Sequence, residues 1–147
     1  VQEEVGLRGA KMITDTIKPD VAICIDVCHD TSNPLLNKIK VGDYKIGEGI
    51  VLSQAPAIHR NLLNLMKKVA KDNDIKYKMI VSGGGTGTDT DMYTLSNGGV
   101  ISSLISIPVK YMHTPNEMAS IEDVKTAIKF YVELLKNIEY QHNFKYF

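Results

Sequence analysis

Tryptophan is absent, cysteine occurs only twice, and no apolar run nears the ~20 residues that cross a bilayer, so no membrane partner is expected. Neither charge predominates. Seventeen Lys and Arg balance seventeen Asp and Glu, and the basic residues are scattered. Without a cationic patch to track a phosphate backbone, nucleic acid is excluded as a partner. Cys24 and Cys28 stand in or beside an apolar run, the usual setting of inert core thiols. They point to a reducing, cytoplasmic location rather than to a disulfide. His29 follows Cys28, but no second pair stands at zinc-finger spacing, which argues against a structural zinc site. Val1 to Ala10 also lacks the basic start and apolar run of a secretory signal. The chain begins with Val inside its most telling stretch, so it is expected to be the tail of something longer.

What is present is ordinary globular material: 147 residues, 44% hydrophobic and 23% charged, enough for one domain with a real core. The chain opens with Val1-Gln2-Glu3-Glu4-Val5-Gly6, two adjacent carboxylates expected at the end of a strand. Ala10, Ile13 and Ile17 recur at helical spacing until Pro19 denies the backbone a donor. Val21 to Val27 predicts a strand buried on both faces, interrupted by Asp26. Asp30 to Gly49 predicts an irregular surface excursion with a short edge strand.

Gly49 to Ser53 reads as a strand, and Ile58, Leu62, Leu65, Met66 and Val69 form one face of an amphipathic helix. Lys76 to Val81 reads as a strand leading into Ser82-Gly83-Gly84-Gly85-Thr86-Gly87-Thr88-Asp89, a loop whose small residues imply close approach to its backbone. A short helix over Met92–Leu95 and a strand over Val100–Val109 follow, with Pro108 favouring an edge or a terminus. The last helix has Ser120 at its N-cap, Glu122 and Asp123 in its first turn, and a stripe of Ile121, Val124, Ile128, Tyr131, Leu135 and Ile138 expected to cover a sheet face. The tail from Tyr140 to Phe147 has no interpretable pattern.

Strands alternating with helices predict an α/β sandwich whose site lies beyond the carboxyl ends of the strands. Glu3, Glu4, Asp26, Asp89 and His113 all fall at or just after apolar runs. Oxygen and nitrogen donors of this kind suit zinc or cobalt, with Glu3 or Glu4 left over as base. A carboxylate neutralised by a metal is a poor base, so a neighbour must move the proton. Singly, His113 reads more readily as a loop histidine, and Asp26 equally as a turn acid or a ligand. His29, Asp30, His59 and His142 are assigned surface or capping roles, and Asp91 the role of N-terminal acid to the short helix.

A rival reading uses the N–H groups of Gly83 to Gly87 as a phosphate cradle in a nucleotide-binding module. Against it, no Lys followed by Ser or Thr completes a P-loop, and the dinucleotide spacing fails. A third reading is a non-catalytic assembly subunit.

The stretches Gln2-Glu3-Glu4-Val5-Gly6-Leu7-Arg8-Gly9-Ala10, Ile25-Asp26-Val27, Gly87-Thr88-Asp89 and Ile107-Pro108 through Tyr111-Met112-His113-Thr114-Pro115-Asn116-Glu117 resemble, in order, the cytosolic metallo-aminopeptidases. That family includes glutamyl and deblocking aminopeptidases, TET particles and cellulase-like proteins. The resemblance implies a three-layer αβα sandwich with a mixed sheet, and a hydrolase that trims the amino-terminal residue from short peptides. It also implies two divalent ions (zinc or cobalt, or manganese) and a homo-oligomer. Glu3 would be the base; Glu4, Asp26 and His113 would be metal ligands; Gly87, Asp89 and Lys110 would lie on the substrate side.

The family's upstream histidine, its bridging aspartate and its inserted oligomerisation domain do not occur in this chain. The expectation is therefore the carboxy-terminal portion of the catalytic domain, inactive alone. Asp91, Thr94 and Lys110 stand where the family often has Gly, His and Arg. Lys cannot reproduce Arg's bidentate fork.

Overall fold

Parallel and antiparallel pairings are combined in one five-stranded sheet, which a computed structural model describes over residues 1–139 and 144. The elements are α1 (Arg8–Ile17), β1 (Val21–His29), α2 (Lys38–Val41), β2 (Ile50–Gln54), α3 (Arg60–Asp72), β3 (Tyr77–Val81), α4 (Asp89–Leu95), β4 (Ile101–Lys110), β5 (Met118–Ala119) and α5 (Ile121–Lys136). Strand order is β1-β4-β2-β3, with β5 beside β4. β1 runs parallel to β4 and β2 parallel to β3, while β4 meets both β2 and β5 antiparallel.

Side chains alternate across a strand, so register sorts the layers. On one face Ser103 donates to Met66 Sδ of α3, and Ile105 beside it joins Ile50, Leu52, Leu62, Phe130 and Leu134 in the core. On the other, Cys24 lies level with Leu104 and its thiol reaches Thr90 of α4. Helices α3 and α5 thus cover one face, and α4, with α1 against it, covers the other. This is the expected three-layer αβα sandwich with a mixed sheet.

Pro108 lies near the carboxyl end of β4, the terminus rather than the edge of the two placements expected. Pairing with β2 covers only Ser106 and Ile105, and β5 joins at Val109 and Lys110. The proline occupies the gap, where no neighbour on that side needs its missing N–H.

Several expected faces are corrected. Residues 1 to 7 form a turn rather than a strand end, with Gly6 and Leu7 N–H both donating to Glu3 O. Gly9 then passes so close to Val1 that a Cβ would stand 2.4 Å from the Val1 carbonyl oxygen. Helix α1 buries Ala10 and Thr14 and leaves Ile13 and Ile17 exposed. Helix α5 covers the sheet through Asp123, Ala127, Phe130 and Leu134; of the predicted stripe, Tyr131 and Ile138 pack against the core, while Ile121, Val124, Ile128 and Leu135 face outward. Two apolar stripes lie side by side on this helix, and the one carrying Phe130 matches the gap above β2 and β4. The excursion from Asp30 holds the short helix α2, capped by the Asn37 side chain, and no strand. His142 and most of the tail lie outside the described residues.

Candidate active site

Four segments far apart in sequence present the polar residues singled out above. Glu3 and Glu4 come from the turn before α1. Asp26 comes from β1, on the same face as Cys24. Asp89 opens α4, and His113 lies in the loop after β4. Glu4 Oε1 and His113 Nε2 are 3.1 Å apart, 109 residues apart in the chain. Both side chains are mostly exposed, at 72% and 63%. Left-handed backbone at Tyr111 and His113 (φ 58° and 62°), unusual for residues with a Cβ, turns the imidazole toward Glu4. Glu117 secures this turn by accepting the His113 N–H at 2.6 Å.

The electrostatics bind the remaining members together. Partial burial raises the Glu3 carboxyl above its usual range, and the charges of Asp26, Glu4 and Asp89 add to the effect; His113 opposes them. Burial likewise raises Asp26 against a hydrogen bond from Val27 N–H, with Asp89 and Glu4 contributing again. Carboxylates crowded without a cation push one another toward the protonated form. The buried Oδ1 of Asp89 has no hydrogen-bond partner among the described residues.

Glu3, Glu4, Asp26, Asp89 and His113 therefore share one neighbourhood. No three histidine, cysteine or acidic side chains among the described residues stand close enough to grip a metal ion as they are. The donor chemistry nonetheless fits a divalent cation: several carboxylate oxygens, one imidazole nitrogen and an excess of negative charge.

Gly87 and Lys110 are the residues expected on the substrate side. Gly87 is exposed with φ 71°, and its N–H is taken by Asp91. Lys110 ends β4 and lines a cavity beside Asp30, whose carboxyl feels its charge.

The glycine loop has its anion already. Asp91 accepts hydrogen bonds from Thr86 N–H, the Thr86 hydroxyl and Gly87 N–H, at 2.9, 2.8 and 2.9 Å. A Cβ on Gly85 would meet this carboxylate at 2.7 Å, whereas nothing lies within 4 Å of one on Gly83, Gly84 or Gly87. An internal carboxylate thus occupies two of the N–H groups that a phosphate would need, those of Thr86 and Gly87, which disfavours the nucleotide-binding reading. Asp91 is in the first turn of α4, as expected, but it serves the loop as well as the helix.

Sequence reasoning missed a row of hydroxyls under the site. The Oγ1 atoms of Thr86, Thr88 and Thr90 are in hydrogen-bond contact one with the next, at 2.9 and 3.1 Å, and Thr90 reaches the Cys24 thiol. Tyr93 stands by the same group, its hydroxyl pushed up to about 12 by burial and then by the charges of Cys24, Asp89 and Asp26. Threonine at every second position from 86 to 90 was the available signal. Cys28 is an inert thiol, raised to about 12 by burial.

Comparison with known proteins gives a consistent picture. A model of the M42 glutamyl aminopeptidase family matches residues 1–130. The chain is 34% identical over 139 residues to a lysyl aminopeptidase of Pyrococcus furiosus, covering 95% of this chain and 39% of that protein. It superposes on a TET aminopeptidase from a marine sediment Thaumarchaeota archaeon with a TM-score of 0.88 at 30% identity, covering 96% of this chain and 40% of the other. A TET1 peptidase of Pyrococcus horikoshii, which assembles into a tetrahedron or a large octahedral shell, matches with a TM-score of 0.68 at 28% identity, covering 92% and 38%. The chain thus spans about two fifths of the length of the relatives it matches.

Proposed function

The chain belongs to the M42 glutamyl aminopeptidase family, and from that premise we propose that it is the carboxy-terminal portion of the catalytic domain of a metal-dependent aminopeptidase. The observation that carries the reading is the meeting of Glu4 with His113 across the fold, with Glu3, Asp26 and Asp89 in the same electrostatic group. Glu4, Asp26 and His113 would hold divalent metal, zinc, cobalt or manganese, completed by ligands from other parts of the protein. Bound there, the metal supplies Lewis-acid polarisation and makes water a nucleophile at neutral pH.

The chain's own residues do the rest. Glu3 remains outside the ligand set and takes the proton from the attacking water, then returns it to the leaving amine nitrogen. A carboxylate left free of the metal keeps the basicity that this transfer needs. Asp89 and Gly87 are assigned to the substrate side. Holding a free amino terminus near the reacting carbonyl makes such a site trim chain ends rather than cut internally.

A homo-oligomer is proposed by likeness to the TET1 peptidase, whose assembly is part of its description. A reducing, cytoplasmic location accords with two free thiols held in or near the core. No helix among the described residues is long and apolar enough to cross a membrane.

The test is an assay of an active protein containing this chain on aminoacyl reporter substrates, with and without chelator. Cleavage should stop on chelation and return with added metal. Chelator-insensitive cleavage, or tight ATP binding without cleavage, would overturn the reading.

A further inference from the structure

A cavity of about 670 Å³ opens next to the candidate site rather than within it. Its floor is the joined ends of β1 and β4, where His29 lies level with Val109. Its wall is the excursion from Thr31 to Tyr44. Met112 lines the rim, and the next residue is His113. Ligand pockets commonly measure about 300–1,000 Å³ and bury mostly apolar surface around a few polar groups.

The polar groups in this wall are spent on one another. Asp30 accepts N–H from Ser32 and Ile46, the Thr31 hydroxyl exchanges hydrogen bonds with the Tyr44 backbone, and Asn33 accepts N–H from Leu35. Lys110 and Asp30 both line the cavity, one of each sign, and the lysine's charge helps to hold the Asp30 carboxyl ionised. Beside the His29 and Tyr111 rings, the rest of the lining is mostly apolar, with Pro34, Leu36, Val41, Val109 and Met112. Leu36 and Val41 are 37% and 39% exposed, an uncommon exposure for two aliphatic residues on one wall.

We infer that this cavity receives the side chain of the substrate's amino-terminal residue, and that the residue it selects is large and apolar, such as Leu, Met or Phe. The inference rests on the aminopeptidase reading above. It assigns a role to the excursion that the motifs leave without one. A pocket without net charge desolvates an acidic or basic side chain with no partner to offset the cost. It rewards each added methylene by roughly 10- to 200-fold in kcat/KM.

The experiment compares kcat/KM for Leu, Phe, Ala, Glu and Lys reporters in an active protein containing this chain, and in its Leu36→Trp and Leu36→Ala variants. Leu and Phe should lead by at least tenfold. Leu36→Trp, which fills the cavity, should cut their turnover tenfold or more while leaving Ala within about threefold. Leu36→Ala, which widens the cavity, should raise the ratio of Phe to Leu kcat/KM. Equal losses on Ala and Phe in both variants, or a leading preference for Glu or Lys, would overturn the inference while leaving the aminopeptidase reading intact. Cleavage of none of the reporters would remove that reading, and the inference with it.

Discussion

Asp30 is buried at the end of β1, yet its carboxyl is held below the ordinary 3.8. Burial raises it, but the Ser32 side chain, the N–H groups of Ile46 and Ser32 and the charge of Lys110 outweigh burial together. A carboxyl depressed in the folded state stabilises the fold above its unfolded pKa and loses that stabilisation as pH falls through the folded value. Asp30→Asn should therefore cost roughly 1.5–3 kcal/mol near neutrality. In urea titrations the difference from wild type should be level above about pH 5 and shrink below 3.8. At the candidate site, Glu3 and His113 are expected to separate cleanly. In an active protein containing this chain, Glu3→Gln should retain metal and lose on the order of 10²–10⁴-fold in kcat. His113→Ala should lose metal affinity itself, measured by competition with a chromophoric chelator. Equal metal loss in both variants would mean that the base is misassigned.

Helix α5 shows what periodicity settles at the level of an element and what it leaves open. Its extent, its N-cap at Ser120 and its acidic first turn are all legible in the chain. The acid at 123 does more than answer the dipole: both its oxygens accept N–H, from Gly47 at 2.6 Å and Gly49 at 2.8 Å, which ties the excursion to the helix. The choice between two neighbouring apolar stripes was not legible, because both repeat every three to four residues. Their variants should differ sharply. Phe130, fully buried, should cost about 3–5 kcal/mol when truncated to Ala. Ile128, 60% exposed, should change stability by no more than about 0.5 kcal/mol as Ile128→Lys. Chemical denaturation of the two variants decides which stripe faces the core.

For the molecule as a whole, β4 is the pivot: it pairs with β1 and β2 in opposite senses and carries the chain to His113. This arrangement gathers the acidic turn, the middle of β1 and the loop after β4 at one place. It leaves the glycine loop closed by Asp91 a short way off. Millimolar ATP should consequently leave the thermal midpoint of the chain unchanged. A binding ligand at one hundred times its Kd would add about 2.7 kcal/mol and several degrees. A clear upward shift would restore the phosphate reading.

The order of strands and helices, the single layered domain and the motif residues follow from the sequence by itself, because repeats of two and 3.6 are local properties of the chain. Lone acids in apolar runs were equally visible, since each demands a partner. Which partner each acid took was settled only in three dimensions. Residues 4 and 113 meet through sheet register, Asp91 folds back on a loop that any anion could have filled, and α5 turns its Phe130 face inward. Each of these choices balances alternatives that look alike over a few residues, and only the packing of distant segments lowers one of them below the rest.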